Sequence, residues 1–241
     1  MNRSKKSILL TFLFIFSLSQ IAATLVVGTN AEFPPFSYIQ NNSIVGFDID
    51  VAKEVAKRLD QTIEWRDMPF EALIPETILG RVDFVAAGMS YTDERAKRVL
   101  FSRPYLTEDP LVILSNSDKV LCLGDLKGKT VVVIEGFTAD LWVSSKSGLN
   151  LIRLPTQADG FMAIKSGRVD AFVTAKSTAD LFFEQQNNSS LHAVAIEGTG
   201  ETCALVIPKS KPAMLLDVQK ALDEMESDKT LEHLKDKWGL R

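Results

Sequence analysis

The sequence predicts an α/β protein with two related lobes, on the basis of three observations. Strand-like runs of β-branched residues alternate with helix-like segments along most of the 241 residues. The phrase Gly-Arg-Val-Asp occurs at 80–83 and again at 167–170, each time between a helix-like and a strand-like segment. Both copies lead through a strand into small residues, at 87–90 and 174–177, which predict loops. This order predicts open sheets with ligands at the carboxyl ends of the strands.

The first half of the chain predicts three strand–helix units. In the first helix, Val51, Val55 and Leu59 share one face. In the third, Thr92 is placed to cap the helix, which puts Arg95 in a first turn where a cation is unfavourable. In order, the predicted elements are a strand at TLVVGTN, a helix at GFDIDVAKEVAKRL, a strand at TIEWRDM, helix, glycine stop and strand through FEALIPETILGRVDFVAAG, and a helix at TDERAKRVLFS.

The second half repeats this order and ends in a long amphipathic helical tail, PAMLLDVQKALDEMESDKTLEHLKDKWGL. The predicted elements before the tail are strand, loop and helix through LKGKTVVVIEGFTADLWVSSKSG, helix, glycine, strand and loop through TQADGFMAIKSGRVDAFVTAKST, and a strand at TCALVIPKS. The tail positions predicted to face the core are Leu216, Val218, Ala221, Leu222 and Met225.

Composition argues against two broad classes of protein. With 46% hydrophobic and 24% charged residues, the chain is globular rather than disordered in composition. The net charge is −4 and no basic run lies beyond the extreme N-terminus, which argues against a nucleic-acid partner. His192 and His233 are isolated and lack metal-ligand spacing, so we predict surface histidines and neither a metal nor a cofactor.

The N-terminus has the pattern of a signal peptide. Arg3, Lys5 and Lys6 precede an apolar run from Ile8 to Leu18, and small residues follow. The alternative is a membrane anchor, but this run is short of the about 20 residues that span a bilayer. We therefore predict that residues 1–23 are a cleaved signal peptide and that the protein is periplasmic.

The chain has two cysteines, Cys122 and Cys203. An even number of cysteines in an exported protein permits a disulfide. A protein of this size does not need one, however, and both residues adjoin apolar strand-like runs, which favours two unpaired cysteines.

Several longer phrases resemble one known family. They are VGTNAEFPPFSY, IVGFDIDVAKEVAKRL, FEALIPETILGRVDFVAAGMSYTDERAKRVLFSRPY, DLKGKTVVVIEG and KWGL. Together they resemble the family 3 solute-binding proteins, which serve ABC importers of polar amino acids. The resemblance implies a type II periplasmic-binding fold, with two α/β lobes joined by a two-stranded hinge. Lobe 1 would then comprise residues 24–112 and 205–241, and lobe 2 residues 113–204.

The resemblance also implies a carboxylate site around Arg95. In such proteins an arginine at this position forks onto the α-carboxylate of the ligand, which would supply the anion that Arg95 lacks. The alternative is a pair with a surface acid. Thr138 matches a lobe 2 position that meets the same carboxylate at a helix start, or else it only caps that helix. The loop positions of this site are Ala87, Gly88, Met89 and Ser90.

Three further positions match residues that hold the ligand's side chain. Phe33 and Phe70 correspond to aromatic rings that sandwich it, although a phenylalanine taken alone is more often part of a core. Asn30 corresponds to a position, often aspartate, that contacts the polar end of the ligand. Asparagine weakens the case for a cationic side chain without excluding it.

One position departs from the family pattern. The family places an acid after the second Gly-Arg-Val-Asp strand, where it meets the ligand's α-ammonium, but this chain has Ala175 followed by Lys176. Either Glu135, Glu201 or another acid replaces it, or the ligand is not an ordinary α-amino acid. Glu135 follows a lobe 2 strand and is our candidate for the cleft, unless it is a solvated loop carboxylate.

These residues predict a binding protein and not an enzyme, with no catalytic residues. A monomer would capture a polar amino acid, of the arginine or glutamine type, by hinge closure and deliver it to the permease and ATPase of an ABC importer. Two alternatives remain open. One is an enzyme on the same scaffold, such as a dehydratase, and the other is a soluble sensor that has lost transport.

Overall fold

The computed structural model describes residues 23–185 and 190–240. Residues 1–22, which hold nearly all of the predicted signal peptide, lie outside the described residues. Across the described ranges, none of the helices has the length and apolar character needed to cross a membrane.

Strands and helices alternate through both halves of the chain. The strands are β1 (Thr24–Thr29), β2 (Glu32–Phe33), β3 (Ser37–Gln40), β4 (Ser43–Val45), β5 (Thr62–Asp67), β6 (Phe84–Val85), β7 (Val99–Phe101), β8 (Leu106–Asp109), β9 (Leu111–Ser115), β10 (Thr130–Ile134), β11 (Asn150–Leu154), β12 (Ala171–Ala175), β13 (His192–Ala195), β14 (Glu201–Cys203) and β15 (Val206–Pro208). The helices are α1 (Phe47–Arg58), α2 (Phe70–Ile78), α3 (Asp93–Ala96), α4 (Thr138–Ser144), α5 (Gln157–Lys165), α6 (Lys176–Gln185), α7 (Pro212–Ser227) and α8 (Thr230–Lys237).

Two five-stranded sheets form the centres of the two lobes. The first has the order β5-β1-β6-β15-β7 and the second the order β11-β10-β12-β9-β13. In each sheet three parallel strands are followed by an antiparallel one, β15 in the first and β9 in the second. The two halves of the chain therefore build the same arrangement, as the internal repeat predicts.

The repeated Gly-Arg-Val-Asp phrase has the same structural role in both lobes. Asp83 accepts a hydrogen bond from the backbone N–H of Val26 at 2.7 Å, and Asp170 accepts one from Thr130 at 2.8 Å. Each aspartate thus ties the turn after a helix to the start of the neighbouring strand. The phrase recurs because both sheets need this join.

The two lobes are connected through a separate two-stranded sheet, in which β8 pairs antiparallel with β14. Each strand lies in the chain between a strand of one large sheet and a strand of the other. Glu201 of β14 stands opposite Asp109 of β8. We refer to β8 and β14 as the hinge pair.

Two local predictions were wrong, because tertiary contacts decide these segments. The helix predicted at TDERAKRVLFS ends at Ala96, and β7 follows because it pairs with β15. The loop predicted at 174–177 is instead the end of β12 and the start of α6. Ser177 in the first turn of α6 donates its N–H to Asp109 at 3.0 Å, so a distant strand caps this helix.

The helical tail is confirmed in outline. The predicted core positions of α7 that are buried are Val218, Ala221, Leu222 and Met225. Leu216 was also predicted to face the core and is 71% exposed. It precedes Val218 by two residues, a spacing that places it near the opposite side of the helix. Both histidines are exposed, as predicted.

Candidate functional site

The loop after β6 lies at the carboxyl end of the first sheet and faces the second lobe. Ala87, Met89 and Ser90 are buried in it. Gly88 has a φ of +61°, and a β-carbon there would lie 2.7 Å from Cε1 of Phe33. The loop can therefore approach the Phe33 ring only with glycine at this position. The Gly88 N–H donates to the buried carboxyl of Asp48, which holds the loop from behind.

Arg95 reaches from this side of the cleft to the other lobe. The Thr92 side chain accepts the N–H of Arg95 at 3.2 Å and so caps α3, as predicted. The guanidinium is buried and donates from Nη1 to the Ser90 carbonyl at 2.7 Å and from Nη2 to the Gly136 carbonyl at 2.9 Å. Both acceptors are uncharged, and the buried charge that acts on this guanidinium is that of Glu201.

Three phenylalanine rings meet in the cleft. Phe33 and Phe70 come from lobe 1, and both are buried. Between them lies Phe137 of lobe 2, with its ring centroid 4.8 Å from that of Phe33 and 4.4 Å from that of Phe70. Arg95 lies over the Phe70 ring at 5.3 Å. The rings and the guanidinium form one continuous surface.

The remaining candidates are placed less uniformly. Asn30 is buried at the end of β1 and donates to the Met68 carbonyl at 3.2 Å. Thr138 is the first residue of α4 rather than its cap, which is Phe137. Glu135 is exposed. The structure therefore places Thr138 beside Glu201, holds Asn30 against Met68 within lobe 1 and leaves the Glu135 side chain in solvent.

A buried acid lies beside Ala175, the position where the family pattern has one. Ala175 is the buried last residue of β12. Glu201 of the hinge pair is also buried, and the Ser90 hydroxyl donates to its carboxylate. Burial raises the pKa of Glu201, while the side chains of Ser90 and Thr138 and the charge of Arg95 act to lower it.

Glu201 and Ala175 line the same small cavity between the lobes. Its volume is about 10 Å³, enough for roughly one water molecule. The lining residues are Phe33, Ile134, Phe137, Ala139, Gln157, Val173, Thr174, Ala175 and Glu201. A larger cavity, of about 330 Å³, lies between the hinge pair, α6 and the C-terminal residues, and the predicted site residues do not line it. An amino acid can enter the cleft only if the lobes move apart.

Neither a disulfide nor a metal cluster is found among the described residues. Cys122 is free and exposed, and Cys203 is free and buried. Within the same ranges, the structure has no group of three histidine, cysteine or acidic side chains that could hold a metal ion.

Sequence reasoning missed Phe137 as a site residue and left Glu201 as one of several possible acids. Phe137 directly precedes Thr138, so an aromatic side chain next to a predicted contact was the available signal. No local signal marks Glu201, because it reaches Ser90 across 111 positions of the chain.

Comparisons with known proteins agree with this geometry. Residues 25–241 match the family model for bacterial extracellular solute-binding proteins, family 3. The arginine-binding extracellular protein ArtP of Bacillus subtilis (strain 168) is 36% identical over 219 residues, which cover 89% of this chain and 85% of that protein.

Two solved structures are similar over nearly their whole length. An ancestral arginine-binding protein bound to arginine is 38% identical, with a TM-score of 0.85 and coverage of 90% of this chain and 98% of that one. An ancestral arginine-binding protein bound to glutamine is 37% identical, with a TM-score of 0.85 and coverage of 92% and 100%. The predicted family and fold are thereby confirmed. The chain belongs to the bacterial extracellular solute-binding proteins of family 3, which bind solutes and are not enzymes.

Proposed function

We propose that this protein captures a polar amino acid in the cleft between its lobes, with Arg95 binding the α-carboxylate. The observation that carries this proposal is the buried guanidinium, whose two hydrogen bonds go to uncharged carbonyls of opposite lobes. The charge of Glu201 acts on it as well, but burial still lowers the pKa of Arg95. A buried charge is costly unless an opposite charge and hydrogen bonds compensate it. A ligand carboxylate supplies both, in the planar geometry that a guanidinium fits.

Carboxylates near Asn30 favour a cationic side chain on the ligand. Glu32 has its pKa raised by burial and by the nearby charges of three other acids. These acids are Asp67, Asp159 and Glu71, so both lobes contribute. This arrangement supports arginine as the first candidate and glutamine as the second, in line with the ligands of the two similar structures.

Capture proceeds by rotation of the lobes about the hinge pair. The inter-lobe cavity of about 10 Å³ is too small for an amino acid, so the ligand binds to an opened form. Closure then brings Thr138 and Phe137 of lobe 2 onto the ligand held by lobe 1. We further propose that the chain is exported to the periplasm, acts as a monomer and delivers its ligand to the permease and ATPase of an ABC importer. No observation favours the dehydratase-like or sensor alternatives.

The test is isothermal titration of the ligand-stripped protein with the twenty amino acids, repeated on Arg95→Ala. We expect saturable binding of arginine, or else of glutamine, and a loss of about 100-fold or more in Arg95→Ala, because a buried charge-assisted contact is removed. Arg81→Ala is the matched control, since Arg81 is 59% exposed and pairs with Glu76 on the surface.

Two results would contradict the proposal. If the wild-type protein binds none of the twenty amino acids, its ligand belongs to another class. Equal affinities of the wild-type protein and Arg95→Ala would show that the carboxylate binds elsewhere.

A further inference from the structure

The ligand proposed above carries two opposite charges on groups attached to the same carbon, and both must be compensated inside the closed cleft. Arg95 can take the carboxylate. The α-ammonium then needs a buried anion within hydrogen-bonding reach, because a desolvated ammonium without one costs several kcal/mol. Ala175, at the end of β12, cannot provide it.

Glu201 is placed to provide that anion. Of the described residues that line the inter-lobe cavity, Glu201 is the one with a carboxylate, and Ala175 lies in the same lining. Its side chain is buried, with 4% of the residue exposed. A ligand bound between the lobes at this place would therefore have Glu201 as a neighbouring carboxylate.

The contacts of Glu201 fix its carboxylate without using up its acceptor capacity. Ser90 donates its hydroxyl to Oε2 of Glu201, and the Thr138 side chain also hydrogen-bonds to this carboxylate. Ser90 accepts the N–H of Thr202 at 3.0 Å, so Ser90 is itself held by the hinge pair. A carboxylate offers about four acceptor positions. Positions are therefore left on Glu201 for the N–H groups of an ammonium.

The opposite acid of the hinge pair is engaged elsewhere. Asp109 faces Glu201 across the two strands, but its carboxylate accepts the N–H of Ser177 at 3.0 Å and the hydroxyl of Ser177 at 2.7 Å. It also lines the larger cavity, outside the cleft. Of these two paired acids, only Glu201 turns to the ligand site.

We propose that Glu201 is the residue that binds the α-ammonium of the amino acid, in place of an acid at position 175. This inference rests on the proposed function, because it requires an α-amino acid in the cleft. It moves the ammonium contact from the second lobe's sheet to the hinge pair, so that recognition of the ammonium is coupled to the segment about which the lobes rotate.

The test compares ligands that differ only in the ammonium. L-Arginine and 5-guanidinopentanoate, which lacks the α-ammonium, are titrated into the wild-type protein and into Glu201→Gln. L-Glutamine and 5-amino-5-oxopentanoate are run in the same way. We expect Glu201→Gln to weaken binding of the amino acid about 100-fold and to change binding of its analogue by less than about threefold.

Two control variants separate this effect from general loss of charge. Glu108→Gln makes the same substitution at an exposed position of the hinge pair and should alter neither affinity. Glu135→Gln tests the competing acid, and a selective loss of amino-acid binding there instead of in Glu201→Gln would overturn the proposal.

Other outcomes also decide the matter. Equal losses for the amino acid and its analogue in Glu201→Gln would overturn this inference alone, since Glu201 would then only support the site. If Glu201→Gln fails to fold, the wild-type protein decides, because a preference of less than about threefold for the amino acid over its analogue leaves no role for an ammonium contact. Failure of the wild-type protein to bind either amino acid would overturn the proposed function and this inference together.

Discussion

Asp48 is a fully buried carboxyl behind the loop that carries Ser90. Its Oδ2 accepts hydrogen bonds from the Tyr105 hydroxyl, at 2.7 Å, and from the Gly88 N–H. Burial raises the pKa of Asp48 to about 6, although both hydrogen bonds act in the opposite direction. The neutral form of this carboxyl is therefore favoured in the folded protein at mildly acid pH.

This shift predicts that Asp48 makes folding less favourable as pH rises. Because the folded pKa lies above the unfolded value of 3.8, the stabilisation is complete below pH 3.8 and is lost as pH rises through about 6. The free energy of unfolding of the wild-type protein, relative to Asp48→Asn, should fall by about 2 kcal/mol between pH 4 and pH 7. Urea unfolding of both proteins at several pH values measures this, and a constant difference would refute it.

Sequence alone could predict a residue of the candidate site only where its neighbours in the chain indicate its role. Arg95 stands out because a cation follows a cap into a helix's first turn, and Ala175 because an expected acid is missing. Glu201 and Phe137 carry no such mark. Their roles depend on contacts across the cleft, with Ser90 for one and with Phe33 and Phe70 for the other.

Short, capped helices position the site at the scale of elements. Thr92 caps α3 by accepting the Arg95 N–H, and Thr156 caps α5 by accepting the Asp159 N–H at 3.1 Å. The first cap fixes the turn from which the guanidinium extends. The Thr156 cap has the same geometry, but it belongs to α5 of lobe 2 and does not hold Arg95.

The two caps predict a separable pair of effects. Thr92→Ala and Thr156→Ala should each lower the free energy of unfolding by about 1 kcal/mol, because each leaves a first-turn N–H without its side-chain acceptor. Thr92→Ala should also weaken amino-acid binding, and more strongly than Thr156→Ala, because Thr92 holds the turn that carries Arg95. Urea unfolding and calorimetric titration of both variants provide the comparison, and identical binding losses would contradict it.

Elements were predictable where the local pattern and the tertiary contacts agree. The strand at Thr24–Thr29 and the helix at Phe47–Arg58 follow their patterns closely. The segment Val99–Phe101 continues a helical pattern, but its hydrogen bonds to β15 make it a strand. The small β3–β4 hairpin was not predicted, and in it Asn41 and Asn42 adopt positive φ.

At the scale of the whole molecule, the two cysteines differ in their access to solvent in the folded protein. Cys122 is exposed near the start of lobe 2, whereas Cys203 lies on the hinge pair with no exposed surface. Burial also raises the pKa of the Cys203 thiol well above its ordinary value. A reagent that reacts with thiolates can therefore modify Cys122 in the folded protein, and can modify Cys203 only after the hinge pair has opened to solvent.

We expect one thiol per native chain to react rapidly with a chromogenic disulfide reagent and two to react in denaturant. Cys122→Ser should abolish the fast phase and leave the denatured protein with one reactive thiol. Rapid modification of two thiols in the native protein would show that the hinge pair is open to solvent. No reaction in denaturant without a reductant would reveal a disulfide.

The position of β15 inside the first sheet determines the order in which the two lobes can fold. All strands of the second sheet come from one stretch, Leu111 to Ala195, so that lobe can form as soon as this stretch is available. The first sheet has a gap between β6 and β7 until Val206–Pro208 fills it, about a hundred residues after β7. Chains that stop short of β15 would carry a finished second lobe and a split first one, whose unpaired strand edges are prone to aggregate.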